Sequence, residues 1–256
     1  MIPKLGIALA LALACACPAY AQSAMSQKLS AARVGDVEPG AYVAGDSIRF
    51  TLDPYGDKYL LRFDGDGEVF VLYADHVSLG GRMLRYDSGA TALLVSSFGA
   101  MTLYTDAQPS GLPAVRDGDS APPALAQLSL PDMQAAAQDE AEHLAYSRQL
   151  SLSFAADWSA LASDANLRAT TFDAMQNAAR GLDRFAANPA AHAVLTQKVD
   201  SVKLVEAGGK PTIALNGRTL VVTFSANRGF SGRASSRAIA RALGKLFSVP
   251  FAEASN

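Results

Sequence analysis

Cysteine is nearly absent from this chain, and its placement removes a whole class of chemistry. The two cysteines, Cys15 and Cys17, both lie in an apolar run from Leu5 to Ala16 that follows Lys4 and precedes Ala19-Tyr20-Ala21. A basic start, an apolar stretch and an A-x-A sequence form a secretory leader, with cleavage expected after Ala21. A membrane span needs about 18–20 apolar residues, and this run stops sooner, so a removed leader is expected rather than an anchor. Ala12-Leu13-Ala14 ahead of Cys15 also fits a lipoprotein signal poorly. Beyond residue 21 there is no thiol for a disulfide, a nucleophile or a metal site.

Histidine is scarce too. His76, His143 and His192 are scattered, and none falls in a zinc spacing such as H-E-x-x-H. Glu140 and His143 share a helix face by spacing but lack an evident third ligand. No metal and no cofactor are expected. No apolar run after the leader is long enough to cross a membrane. With a net charge of −2, no nucleic-acid partner is expected, and nothing sets an oligomeric state.

What the chain does have is periodicity. Ile48, Phe50 and Leu52 alternate with polar neighbours, as do Tyr59, Leu61 and Phe63, then Val69, Val71 and Tyr73. Asp53-Pro54-Tyr55-Gly56, Asp64-Gly65-Asp66-Gly67, Gly80-Gly81 and Asp87-Ser88-Gly89 punctuate these runs. Two more strands are expected over Thr91 to Val95 and Met101 to Thr105. Short alternating runs between regular turns predict an antiparallel sandwich or small barrel over residues 40–108.

A Pro- and Gly-rich passage over residues 109–131 reads as a linker or long surface loop. Alanine-rich helices follow, over Asp132 to Leu150, around Ala155 to Ala165, over Ala169 to Ala186, and a short one from Ala190 to Thr196 after Asn188-Pro189. Phe172, Met175, Leu182 and Phe185 fall at helical spacing and are expected in a core. Strands return over Val199 to Val205, Thr212 to Leu215 and Arg218 to Phe224, with Asn216-Gly217 favouring a two-residue type I′ hairpin. The fold class is α+β: an antiparallel β sandwich or small barrel, then an α-helical segment, a C-terminal β-hairpin and a terminal amphipathic helix within an α+β region over residues 132–256.

Several near-motifs fail on their chemistry. Gly45-Asp46-Ser47-Ile48 resembles the nucleophile block of the GDSL hydrolases, but a serine needs a histidine base held by an acid, and no Asp-x-x-His lies near the C-terminus. Gly229-Phe230-Ser231-Gly232 misses the G-x-S-x-G elbow by one residue. Asp64, Asp66, Glu68 and Asp75 approximate an EF-hand spacing, yet Val69 stands where the loop requires glycine.

Charge is polarised along the chain. Asp36 to Asp119 holds 13 acidic and 6 basic residues, whereas Ser201 to Asn256 holds 8 basic and 2 acidic. In the last helix Ile239, Ala242, Leu243, Leu246 and Phe247 make an apolar face, and Arg233, Arg237, Arg241 and Lys245 recur every four residues as a basic ridge. Ser235 and Ser236 are expected N-caps. Free N–H groups at a helix start beside arginine attract an anion, so Arg233, Ser235, Ser236, Arg237 and Arg241 form the candidate site for an anion or acidic partner. Docking of this helix on the acidic strands of the same chain is the alternative.

Arg49-Phe50-Thr51-Leu52-Asp53, Leu60-Leu61-Arg62-Phe63 with Glu68-Val69, Arg85-Tyr86-Asp87-Ser88-Gly89, Gly99-Ala100-Met101-Thr102-Leu103-Tyr104 and Gly229 through Arg237 into Ala240-Arg241-Ala242-Leu243 together resemble an uncharacterised exported proteobacterial family, domain of unknown function 4908. A proline often stands in that pattern where this chain has Ala234, which removes one helix-start signal. The resemblance implies export and supplies no activity, ligand or catalytic residue. The expectation is an exported, periplasmic or secreted, non-enzymatic binding module with an envelope component or protein as partner. The alternative is an exported hydrolase with a carboxylate-based site assembled from distant residues.

Overall fold

The computed structural model describes residues 37–250; the leader and its cleavage point lie outside the described residues. Eight strands follow in antiparallel order: β1 (Gly40–Ala44), β2 (Ile48–Tyr55), β3 (Lys58–Phe63), β4 (Val69–His76), β5 (Arg82–Tyr86), β6 (Thr91–Val95), β7 (Met101–Thr105) and β8 (Gln108–Gly118). β8 pairs with β1, Val43 opposite Val115 and Ala44 opposite Ala114, so the sheet closes into a barrel. Closure leaves no unpaired edge.

The strands aim Phe50, Leu52, Leu61, Phe70, Leu72, Leu84, Leu93 and Leu103 inward, each almost wholly buried. In β4 the expected face is reversed, since both faces are apolar, and Phe70 and Leu72 fill the barrel while Val69 and Val71 pack outside it with Phe230. An aromatic ladder runs from Tyr42 through Phe50 and Phe63 to Phe70 and Tyr86, with neighbouring ring centroids 5.2–6.3 Å apart. An eight-stranded barrel is just wide enough for side chains to fill. This one has a packed interior.

The first half of the passage expected as linker or loop is instead β8, the strand that closes the barrel. Proline hid it. Pro113 has no N–H but keeps its carbonyl, which accepts the Gly45 N–H at 3.0 Å. The second half lies along the barrel wall, where the Ser120 hydroxyl donates to the buried Asp53 and Leu125 packs near Leu60 and Val71.

The rest of the chain is a helical layer on a four-stranded sheet. Its elements are α1 (Leu130–Arg148), β9 (Ser153–Ala155), α2 (Trp158–Ser163), α3 (Ala165–Ala186), α4 (Pro189–Lys198), β10 (Ser201–Glu206), β11 (Ile213–Asn216), β12 (Thr219–Phe224) and α5 (Ser236–Phe247). Strand order is β11-β12-β10-β9, with β10 parallel to both neighbours and β11 antiparallel to β12. The hairpin forms as expected but one residue further on. Gly217 takes φ +61° at the first central position and Arg218 has no positive φ, the type II′ pattern rather than I′.

α3 is the central helix. Met175, Leu182 and Phe185 are buried, with Phe172 packed at the edge, and its alanines let neighbours approach closely. At Gly181 an added Cβ would stand 2.6 Å from Ile239 of α5, so glycine sets that helix spacing. The core of this half and the barrel core are separate clusters, joined by a small third one of Leu60, Val69, Val71 and Phe230.

Candidate functional site

In an up-and-down barrel successive turns alternate between ends, so the β1–β2, β3–β4, β5–β6 and β7–β8 turns share one rim. Those turns carry Asp46, Glu68, Asp87 and Asp106. Four acids of the strand region therefore stand on one rim, and α5 enters there.

The approach to α5 is built by glycine. At Gly232 a Cβ would fall 1.9 Å from the Ser225 carbonyl oxygen, and at Gly229 (φ +51°) one would fall 2.5 Å from the Tyr55 hydroxyl. The resulting 3-10 segment, Ala226–Gly232, lays Phe230 edge-on to Tyr55 at 6.0 Å, against the outer barrel wall. The Tyr55 hydroxyl donates to the Arg228 carbonyl at 3.1 Å.

Four successive contacts then tie the chain to its own barrel. Arg233, 3 % exposed, donates to the Asp173 carboxylate of α3 and to the Val69 carbonyl, with its guanidinium 5.3 Å from the Phe230 ring centre. Ser235 gives Asp87 its N–H at 2.8 Å and its hydroxyl, while the same Oγ accepts the Ala238 N–H as N-cap. Ser236 gives Glu68 its N–H at 2.8 Å and its hydroxyl at 2.6 Å. Arg237 holds Asp106 through two nitrogens, each at 2.9 Å, and lies 4.5 Å over the Tyr86 ring at the barrel mouth. Arg184 of α3 reaches the same Asp106 at 2.7 Å.

The structure thus gathers Arg233, Ser235, Ser236 and Arg237 at one place, and three of the four acidic groups they meet, Glu68, Asp87 and Asp106, belong to the barrel, the fourth, Asp173, to α3. A helix start leaves N–H groups unsatisfied and carries partial positive charge; Glu68 and Asp87 supply both the acceptors and the counter-charge. Arg241, one turn further along, is exposed, with Nη1 close to Gly89 of the β5–β6 turn. Burial pushes the carboxyls of Glu68 and Asp87 above their ordinary values, against the pull of the serine hydrogen bonds and of Arg233. Burial likewise drives the Tyr86 phenol up to about 12.

Two clefts flank this joint. One, of about 520 Å³, is lined by Asp66, Glu68, Glu140, His143, Arg180 and Asp183. Several of its polar groups are already engaged: Gln176 donates to Glu140 at 2.7 Å, Arg148 from outside the cleft donates to Asp183 at 2.7 Å, and Asp66 accepts the Glu68 N–H at 2.9 Å. His143 is exposed at its edge. The other, of about 540 Å³, lies between the outer barrel wall and the β10–β11 loop and carries Lys58, Arg85, Lys210, Arg228 and Arg233.

The near-motifs are not assembled. Ser47 sits in the β1–β2 turn, whereas the His192 Nε2 is engaged with the Arg148 carbonyl at 2.7 Å. Of the EF-hand-like acids, Glu68 is held by Ser236 and Asp75 pairs with Arg85 at 3.0 Å. Among the described residues no group of three or more His, Cys, Asp or Glu could hold a metal ion.

Glu68, Asp87, Asp106 and Asp173 were not singled out from sequence as partners. One signal was there: Glu68, Asp87 and Asp106 recur at equal intervals of 19 residues, one hairpin repeat apart, which sets all three on one rim. No curated protein and no solved structure matches the chain. The family model described as Domain of unknown function (DUF4908) matches residues 21–243, and the chain belongs to that family.

Proposed function

We propose that the protein is an exported, periplasmic or secreted, non-enzymatic module that binds an envelope component or protein partner, working as one body made of barrel and α/β half. The observation that carries this reading is the joint itself. Glu68, Asp87, Asp106 and Asp173 are each committed to hydrogen bonds or ion pairs with the segment from Arg233 to Arg237. Carboxylates held in this way fix a shape and are poorly placed to shuttle a proton, since general acid–base work needs a group within reach of the substrate. Export is supported by the A-x-A leader pattern.

Fractionation followed by crosslinking in intact cells tests the reading. A processed chain beginning at Gln22, recovered outside the cytoplasm and crosslinked to an envelope component, is the expected result. An unprocessed cytoplasmic chain overturns it.

A second reading, an exported hydrolase with a carboxylate-based site, draws on the cleft where Glu140 and His143 share one face of α1 beside Asp66 and Asp183. Turnover of an ester or glycoside substrate that is lost in Glu140→Gln would put this reading in place of the first.

A further inference from the structure

We infer that the cleft beside the joint is a binding site for an amphipathic anion, a ligand that joins a carboxylate, phosphate or sulfonate to an apolar or planar body. This deepens the binding-module reading and rests on it.

The argument begins with charge. Five cationic residues line the cleft, against one acid, Asp87. Both Asp87 oxygens already accept from Ser235, and burial disfavours its charged form. Three of the cations are also committed: Lys58 to Asp57, Arg85 to Asp75 and the Gly89 carbonyl, and Arg233 to Asp173. Lys210 and Arg228 are different. Both are exposed, and among the described residues no carboxylate lies within ion-pair distance of either side chain. Arg241 adds a further unpaired guanidinium beside Gly89, at the cleft edge. The surplus is thus one of unpaired positive charge, brought from two loops and a helix to one concavity.

The floor supplies the second half of the ligand's description. Tyr73, Pro211, Ile213, Ala234 and Ala238 form it. Tyr73 is 38 % exposed, the Lys58 ammonium lies 5.7 Å from its ring centre, and burial raises its phenol, so the face presented is aromatic and uncharged. A bare inorganic anion would pair with Lys210 and Arg228 but leave that floor wet, whereas an apolar body covers it. A volume of about 540 Å³ falls within the range of ordinary small-molecule sites. One side of the cleft is barrel wall and the other is the β10–β11 loop with the 3-10 segment, so the site exists only while the joint holds the two halves together.

The test uses the whole mature chain and two dyes, anilinonaphthalene sulfonate, an apolar anion, and N-phenylnaphthylamine, its uncharged counterpart. Wild-type protein is expected to bind the sulfonate saturably and more tightly than the neutral dye. The doubly substituted Lys210→Glu/Arg228→Glu is expected to bind it about tenfold or more weakly, from the loss of charge-assisted hydrogen bonds. Lys203→Glu, which makes the same kind of charge change on β10 outside the cleft, should leave affinity unchanged. Because Lys210 and Arg228 are exposed, the milder Lys210→Gln/Arg228→Gln keeps the fold and should shift affinity in the same direction. Displacement of the sulfonate by decyl phosphate but not by inorganic phosphate supports the amphipathic ligand. Displacement by vesicles containing phosphatidylglycerol, but not by phosphatidylcholine alone, assigns the anion to a lipid source; displacement only by monomeric decyl phosphate assigns it to a soluble one.

Wild-type affinity in both double variants, an equal loss in Lys203→Glu, or equal binding of the neutral dye overturns the inference. Envelope crosslinking separates its failure from that of the parent reading. Crosslinks that persist while the double variants bind dye normally sink the cleft alone, and absence of crosslinks to the wild-type chain sinks the reading without touching the dye result.

Discussion

The barrel and the α/β half solve the same problem in opposite ways. The barrel is closed, its interior filled by its own strands, and its hydrogen bonds run in an unbroken ring. The α/β half has an open sheet, and the start of its last helix has no complete set of partners within that half. Its first-turn groups at Ser235 and Ser236 are satisfied by Asp87 and Glu68, both from the barrel. One region closes on itself; the other borrows its acceptors. Dependence of this kind ties the two separate cores together, beside the small apolar cluster of Leu60, Val69, Val71 and Phe230.

The most severe way to break that asymmetry is at Arg233. Replacement by methionine removes the partner of Asp173 and of the Val69 carbonyl in a site from which water is excluded. Removal of one member of a buried pair costs about 3–5 kcal/mol, so urea unfolding should show a loss of that size. Loss of near- and far-ultraviolet helical signal before the barrel signal would place the damage in the dependent half.

A second perturbation acts on packing alone. Gly181→Ala pushes a methyl group to 2.6 Å from Ile239 and so forces α3 and α5 apart. Overpacking of this kind costs about 1–3 kcal/mol. Because the barrel core is a separate cluster, protection of barrel amides from exchange should persist.

pH offers a smaller effect with a definite sign. Glu68 and Asp87 have carboxyls raised on folding, first by burial. Between their ordinary values and the raised ones the folded state binds more protons than the unfolded chain, so stability falls as pH rises through that window and levels off above it. A thermal melt should therefore give a higher Tm at the acidic edge of the window than at neutral pH, with the gain cancelled in Glu68→Gln/Asp87→Asn. The smallest effect is expected at Arg241, exposed where Arg233 and Arg237 are buried: Arg241→Glu should change stability by less than about 1 kcal/mol.

The contrast among these arginines shows what sequence could convey. Period-two alternation made β2 and β3 readable, since Phe50, Leu52 and Leu61 point inward, but not the face of β4, where apolar residues stand on both sides and Phe70 and Leu72, rather than Val69 and Val71, fill the barrel. β8 was not readable, because Pro109, Gly111 and Pro113 mimic a loop. Its Gly111 is in place because a Cβ there would press on Thr102 and Tyr104 of β7, a fact about the neighbouring strand. Likewise the four-residue recurrence of Arg233, Arg237, Arg241 and Lys245 reads as one ridge, yet the ridge is divided. Arg233 and Arg237 are 3 % and 7 % exposed because Asp173, Asp106 and Tyr86 come to them from distant parts of the chain. Local pattern offered Ser235 and Ser236 as N-caps, of which Ser235 caps the helix and Ser236 begins it; it carried no information on which acid would meet either.

The central claim is that barrel carboxylates complete the start of α5, and a double-mutant cycle on Glu68 and Ser236 tests it most directly. Urea unfolding of Glu68→Gln, Ser236→Ala and the pair together should give a coupling energy of about 1 kcal/mol or more, as for directly hydrogen-bonded neighbours. Strict additivity, with coupling within about 0.3 kcal/mol of zero, would contradict the account.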